Sequence, residues 1–236
     1  MRDYALVIDR LSSMTDVLTY IGEVCVEEGV VRMSYHFSPI FDEPVSLRTI
    51  IYTHGFSEQW LRKYELAAFR KDDPIPARTF ANGAFLEWES AMENWPNSPE
   101  QERYFDAMKD EGLMHGFGVP LYGPRGREAY SSFDFGRPVA DVEPGKVSFV
   151  RALAQTGHVR ISHLIDEDLQ PQTLSSRETE VLTWMARGKT AQDIGVILSL
   201  SPETIRTYIK RLYEKMGTND RIGAVVRGLK LGLIRI

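Results

Sequence analysis

The chain is 236 residues long, 43% apolar and 26% charged, enough for a real core and more than one domain of ~100–150 residues needs. No run approaches the ~18 consecutive apolar residues of a membrane span. The start Met1-Arg2-Asp3-Tyr4 lacks a signal-peptide pattern, and the single cysteine, Cys25, excludes an internal disulfide framework and a cysteine-based metal site. These features predict a soluble, cytoplasmic protein without a membrane partner. Charge is unevenly placed: 17 Lys and Arg stand against 27 Asp and Glu over residues 1–170, but 11 against 6 over 171–236. A basic module behind an acidic one is the asymmetry of a polyanion-binding end.

Along the chain, Val17, Leu18, Ile21, Val24 and Cys25 recur at helical spacing behind the polar starters Ser12, Ser13 and Thr15. Arg32–Phe37 and Leu47–Thr53 are rich in β-branched and aromatic residues between turn formers, which predicts two strands. Ser98-Pro99-Glu100-Gln101 is a helix start, with serine to cap, proline in the first turn and Gln101 to complete a capping box; Gly112 ends that helix. Residues 117–122 and 129–135 flank Gly123-Pro124-Arg125-Gly126 and read as a hairpin. A helical pattern over 144–165 closes the first part. Hairpin-joined strands and helices gathered in blocks predict an α+β fold, an α/β/α sandwich with an antiparallel sheet.

Residues 166–173 are acidic, polar and broken by Pro171, which predicts a linker between a domain at 1–165 and one at 174–236. No internal repeat or low-complexity tract is present. Beyond the linker four helices are expected, at about 175–187, 190–198, 202–216 and 220–231. Ser201-Pro202-Glu203 opens the third strongly, and Gly188 and Gly217 fall where a left-handed residue ends a helix.

In that C-terminal part Val181, Leu182, Met185, Ile194, Ile197, Leu198, Ile205, Ile209 and Leu212 would form a small shared core. That leaves Arg206, Lys210 and Arg211 free, as a recognition helix in a major groove requires. Residues 174–236 resemble the GerE-type tetrahelical helix-turn-helix of LuxR-type transcription factors. Glu178, Leu182 and Gly188 carry the spacing, and Lys189-Thr190 continue it. The resemblance implies an all-α DNA-binding domain in which Lys189 holds a phosphate, Arg206 and Lys210 reach base edges, and Thr204 and Thr207 support them. Tyr208, where histidine is usual, and Arg211, where asparagine is common, depart from the family and leave the operator sequence open.

The same helix-turn-helix occurs behind receiver domains, but the paired acids, phosphoacceptor aspartate and later lysine of a receiver are missing from residues 1–165. Instead Trp60-x-x-x-Tyr64 precedes Asp73-Pro74 by nine residues, Trp88 follows fifteen after the aspartate, and Gly116-Phe117-Gly118-Val119-Pro120 comes next. These residues resemble the autoinducer-binding domain of LuxR-type quorum-sensing receptors. The resemblance implies a small-molecule autoinducer, an acyl-homoserine lactone or relative. Trp60 would donate to the lactone carbonyl, Asp73 accept from the amide N–H, Tyr64 donate to the acyl carbonyl and Trp88 pack on the ring. Some members carry a tyrosine where Phe56 stands, and Ser132 falls where a hydroxyl often bonds the ligand carbonyl. The implied protein is a homodimer on an inverted repeat of double-stranded DNA, with RNA polymerase a candidate partner. The helix at 144–165 is the candidate main dimer contact, and Val225, Val226 and Leu229 a second. The alternative is a lactone-independent DNA-binding regulator whose first domain is a dimerisation scaffold or senses a different molecule.

Other patterns point to simpler roles. His36, His54, His115, His158 and His163 make no His-x-x-x-His pair, which predicts surface or capping positions and no metal site. Gly123-Pro124-Arg125-Gly126 lacks the context of a phosphate loop. Ser131 and Ser132 are in no Gly-x-Ser-x-Gly elbow, and Asp72 beside Asp73 suits one buried and one exposed side chain. No cofactor and no enzyme activity are expected.

Overall fold

The computed structural model describes residues 3–37, 51–66, 69–168 and 174–235. The expected strand portion 47–50 and linker residues 169–173 lie outside them. The chain divides into two compact units, Met1–Gly123 with Glu128–Leu164, and Ile165–Ile236 with Pro124–Arg127.

In the first unit α1 (Tyr4–Arg10) and α2 (Met14–Glu27) start on side-chain caps, Asp3 accepting from Leu6 N and Ser13 from Asp16 N. Then come β1 (Arg32–Phe37), β2 (Ile51–His54), α3 (Glu58–Leu66), α4 (Phe69–Asp72), α5 (Ile75–Asn82), β3 (Leu86–Glu87), α6 (Trp88–Glu93) and α7 (Pro99–Asp110). The hairpin β4 (Phe117–Tyr122) and β5 (Glu128–Asp134) and the long α8 (Pro144–Asp168) complete it. The Ser98–Gln101 capping box forms as the sequence predicts, and the hairpin turns through Arg125 and Gly126, both left-handed. Residues 166–168, expected in the linker, continue α8.

All five strands pair antiparallel in the order β2-β1-β5-β4-β3. The register sets Ser34 opposite Ser132, His36 opposite Tyr130, and Gly118 opposite Ser132. Strand alternation therefore puts Ser34, His36, Gly118, Tyr130 and Ser132 on one face, and Met33, Tyr35, Phe117 and Phe133 on the other. The second face meets α8, where the Tyr35 hydroxyl lies 2.9 Å from His158 Nδ1, and Phe117 packs on Phe133 at 5.7 Å between centroids. Gly157 lets α8 lie against α2, since a Cβ there would sit 2.1 Å from Ile21. The first face is covered by α3, α5, α6 and α7, whose Trp60, Ile75, Trp88, Tyr104 and Met108 share a core with Tyr130. With both faces covered, β4 and β5 are buried almost end to end rather than alternating between core and solvent. This is the α/β/α arrangement expected from the sequence.

The second unit holds α9 (Ser176–Ala186), α10 (Ala191–Leu198), α11 (Pro202–Met216) and α12 (Arg221–Lys230), within a residue or two of the expected bounds. Ser175–Glu178 and Thr190–Asp193 form capping boxes, Ser201 caps α11, and Gly217 ends it left-handed. Val181, Leu182, Met185, Ile194, Ile205 and Leu212 make the core. Glu178 is only 4% exposed: its carboxylate serves the capping box and accepts from Lys215 Nζ at 2.7 Å. Gly195 makes the α10–α11 turn possible, because a Cβ there would stand 2.7 Å from the Leu200 carbonyl oxygen.

Candidate functional site

Trp60 and Tyr64 are one turn apart on α3, so their rings share a face and meet at 6.2 Å. Asp73 follows α4 and folds back on the start of α5, its Oδ1 accepting from Ile75 N at 2.9 Å in the manner of an Asx turn. Its Oδ2 accepts from the Tyr64 hydroxyl at 3.0 Å, and Tyr104 of α7 adds a further hydrogen bond. A carboxylate has about four acceptor positions; three donors leave room for one more.

Burial pushes the Asp73 carboxyl up to about 6, while the Ile75 N–H and the Tyr64 and Tyr104 hydroxyls oppose that shift. The two tyrosines are driven well above their ordinary range by burial and by the Asp73 charge. At neutral pH the group is an anion held by two protonated phenols.

These side chains open on one small cavity, with about 70 Å³ of free space between them. All six residues singled out in the sequence, Phe56, Trp60, Tyr64, Asp73, Trp88 and Ser132, line it. Trp88 starts α6, donating its backbone N–H to the Gly116 carbonyl at 2.8 Å. Its ring lies over Gly116, where a Cβ would come within 2.5 Å, and Tyr130 lies over Gly118 in the same way. The two glycines of Gly116-Phe117-Gly118 thus let aromatic rings rest on the strand. The buried Trp88 Nε1–H lies beside the Tyr130 hydroxyl but out of hydrogen-bond geometry with it.

Sequence reasoning missed Ser34, His36, Tyr104 and Tyr130, which also line the cavity. It also missed Arg78, which donates to the carbonyls of Ala91 and Pro96 and to Gln101 Oε1 between the Trp95 and Phe105 rings. That clip ties α5 to α6 and α7. The reading of the histidines as surface or capping residues needs correction at two positions: His36 is part of the pocket wall, and His158 is fully buried against Tyr35. Once β1 is recognised, its period of two puts His36 on the face of Ser34; nothing in the spacing of α7 announces Tyr104.

In the second unit α11 buries Ile205, Leu212 and Met216 and exposes Glu203, Arg206, Thr207, Lys210 and Glu214 on the opposite face. Arg206 is paired with Glu203 at 2.6 Å, and the Thr207 hydroxyl donates to the Glu203 carbonyl. Thr204 sits at the flank, its hydroxyl 2.9 Å from that of Ser201. Lys189 is exposed just before the Thr190 cap, in a loop whose carbonyl accepts from Arg221 at 2.8 Å. Arg227 likewise reaches the Met216 and Gly217 carbonyls at the end of α11. Among the described residues no three His, Cys, Asp or Glu could share a metal ion, and no helix is long and apolar enough to cross a membrane.

A sandwich unit whose aromatic residues surround a cavity with a buried carboxylate, with a helix-turn-helix in the same chain, defines a transcriptional regulator that responds to a small molecule. Family models match on both sides: the autoinducer binding domain over residues 13–161, and the bacterial regulatory proteins of the luxR family over 172–227. The chain belongs to this LuxR-type family and is a regulator, not an enzyme. It is 29% identical over 188 residues to the HTH-type transcriptional regulator y4qH of Sinorhizobium fredii, aligning 78% of this chain with 56% of that one. With the quorum sensing-dependent transcriptional regulator RpaR of Rhodopseudomonas palustris identity is 27%, over 78% of this chain and 74% of RpaR. The crystal structure of Escherichia coli SdiA superposes with a TM-score of 0.75 at 22% identity, over 98% of this chain and 96% of SdiA, which shows a shared fold.

Proposed function

We propose that the cavity binds an acyl-homoserine-lactone-like signal and that the filled protein, as a cytoplasmic homodimer, binds an inverted-repeat DNA site. The observation that carries the reading is the convergence of Trp60, Tyr64, Asp73 and Trp88 on one cavity around a buried carboxylate. Asp73 accepts the ligand amide N–H, and Trp60 donates to the lactone carbonyl while Trp88 packs on the ring. Tyr64, whose single O–H goes to Asp73 in the empty pocket, turns it to the acyl carbonyl when the signal is bound, with the Ser132 hydroxyl beside it. Lys189 holds a phosphate, Arg206 and Lys210 read base edges, and Thr204 and Thr207 support the contact. Residues 1–165 form the signal-binding domain and 174–236 the DNA-binding domain, joined through 166–173. Of Val225, Val226 and Leu229 on α12, Val226 is exposed while Val225 and Leu229 pack on the unit's own core, so a second dimer contact there beside that of α8 would use Val226 with exposed Ile222. Transcription control then runs through RNA polymerase.

The test is thermal unfolding against a panel of acyl- and aryl-homoserine lactones. A stabilising shift that disappears in Asp73→Ala supports the reading. One observation favours the alternative of a non-lactone ligand: Phe56 presents a hydroxyl-free ring to the cavity where a donor is wanted. Protein that folds and binds DNA without any lactone shift decides for that alternative.

A further inference from the structure

We propose that Glu203 is a base-reading residue of α11: it holds the Arg206 guanidinium towards a guanine and itself accepts from the amino group of a cytosine in the adjacent base pair. The inference rests on the base-reading role given to Arg206 above and adds a residue and the base it selects.

Glu203, Arg206, Thr207 and Lys210 follow one another at i, i+3, i+4 and i+7, a single exposed stripe opposite buried Ile205 and Leu212. Glu203 heads that stripe in the first turn, the end that a recognition helix brings to base edges. The acid at this helix start is placed unlike those of the two helices before it. Glu178 and Asp193 hold the third helical position of α9 and α10, where their carboxylates close capping boxes. In α11 that position is Thr204, and the Ser201 hydroxyl caps its backbone N–H at 3.1 Å. Glu203 stands one residue earlier, so its carboxylate is not spent on the cap and accepts from Arg206 Nη1 at 2.6 Å.

Both side chains are well exposed, and such a pair in water adds little to the stability of the unit. Against DNA the carboxylate repels phosphates unless a base donates to it. With Nη1 given to Glu203, the Nε–Nη2 edge of Arg206 is the fork left for O6 and N7 of guanine. A carboxylate only accepts, and the amino groups of the major groove are cytosine N4 and adenine N6. Adenine carries the acceptor N7 beside its amino group, which a carboxylate meets unfavourably, so cytosine is selected.

The experiment is binding-site selection from a randomised duplex library, with the full chain and with and without the lactone panel. Wild type, Glu203→Ala, Glu203→Gln and Arg206→Ala are compared, followed by affinities for the selected site and its single-base variants. Wild type is expected to select guanine in each half-site with cytosine in the adjacent pair, each by about 5- to 100-fold over other bases. Arg206→Ala loses the guanine preference. Glu203→Ala loses the cytosine preference and weakens that for guanine, without losing affinity for DNA as a whole. Glu203→Gln, whose amide both donates and accepts, moves the cytosine position towards adenine. A Glu203→Ala protein that binds every site more tightly by one common factor, with base preferences unchanged, overturns the proposal and leaves the Arg206 reading intact. A wild type that selects guanine with no cytosine beside it overturns it as well. No sequence selected by wild type removes base reading by Arg206 and this proposal together.

Discussion

Replacing Asp73 with asparagine separates the stability of the empty pocket from its ability to hold a signal. The carboxyl stands at about 6 in the fold against 3.8 for an ordinary aspartate. Two pH units correspond to about 3 kcal/mol spent at pH 7 to keep the charge in place. Asparagine avoids that cost and can still accept from Ile75 N, though its amide meets the Tyr64 hydroxyl less well. Unliganded Asp73→Asn is therefore expected to be as stable as wild type, or more stable by up to about 3 kcal/mol, a rise in Tm of up to roughly 6–12 °C for this size. A raised carboxyl value favours the folded state below about 4 and loses that contribution as pH rises through 6. Wild type should thus gain on the variant as pH falls from 7 to 5. Signal binding responds oppositely, since a charge-assisted hydrogen bond is worth about 1.5–3 kcal/mol and the variant has only a neutral acceptor. Thermal unfolding at both pH values, with and without lactone, reads all of this. A variant more than about 1 kcal/mol less stable than wild type when empty at pH 7 would refute the reasoning, as would a full-sized ligand shift.

Other perturbations act on the second unit. Glu178→Ala removes a capping-box partner and one acceptor of Lys215, so this unit should lose about 1 kcal/mol in denaturant unfolding followed at Trp184; a loss under about 0.5 kcal/mol would contradict the role given to Glu178. Arg206→Ala should cost about 1–3 kcal/mol at one base position in a binding-site selection, because releasing the exposed Glu203 pair costs little. An equal loss on every sequence would remove Arg206 from base reading. Lys189→Ala should weaken binding uniformly and reduce the salt slope by about one, and a sequence-dependent effect would argue against a phosphate contact.

The helix-turn-helix was legible because its signals are local. Ser201-Pro202, Thr190 with Asp193 and Gly217 act within a few residues of where they stand, and each behaves in the fold as its chemistry dictates. The pocket was legible only where a spacing was distinctive. Trp60, Tyr64, Asp73 and Trp88 could be singled out, whereas Tyr104 and Tyr130 reach the same cavity from elements far apart in sequence and look like ordinary core aromatics. His36 was misread because a histidine at a strand end carries no mark of burial until the opposite strand, with Tyr130 and Ser132, is laid beside it. The short helices α3 and α5 were missed as well, since they gain their stability from aromatic packing around the cavity more than from their own sequence.

The polar groups of the pocket also bear on how a signal becomes a response. An anionic Asp73, the Trp88 N–H outside hydrogen-bond geometry and the Ser34–His36 pair all sit in a wall otherwise built mostly of aromatic and aliphatic side chains. The Trp88 N–H, which has no partner, costs about 1–3 kcal/mol while no ligand accepts from it, and the buried charge of Asp73 costs stability even with Ile75 N and Tyr64 donating to it. A signal that satisfies several of them recovers part of that cost, in addition to the apolar area it buries. Its binding is then linked to folding of the unit, at about 2.7 kcal/mol when the signal is a hundredfold above its Kd. The carboxylate proposed to fix the ligand is thus also one that makes the empty domain less stable. A pocket lined only with apolar side chains would be more stable when empty and would gain less from occupancy.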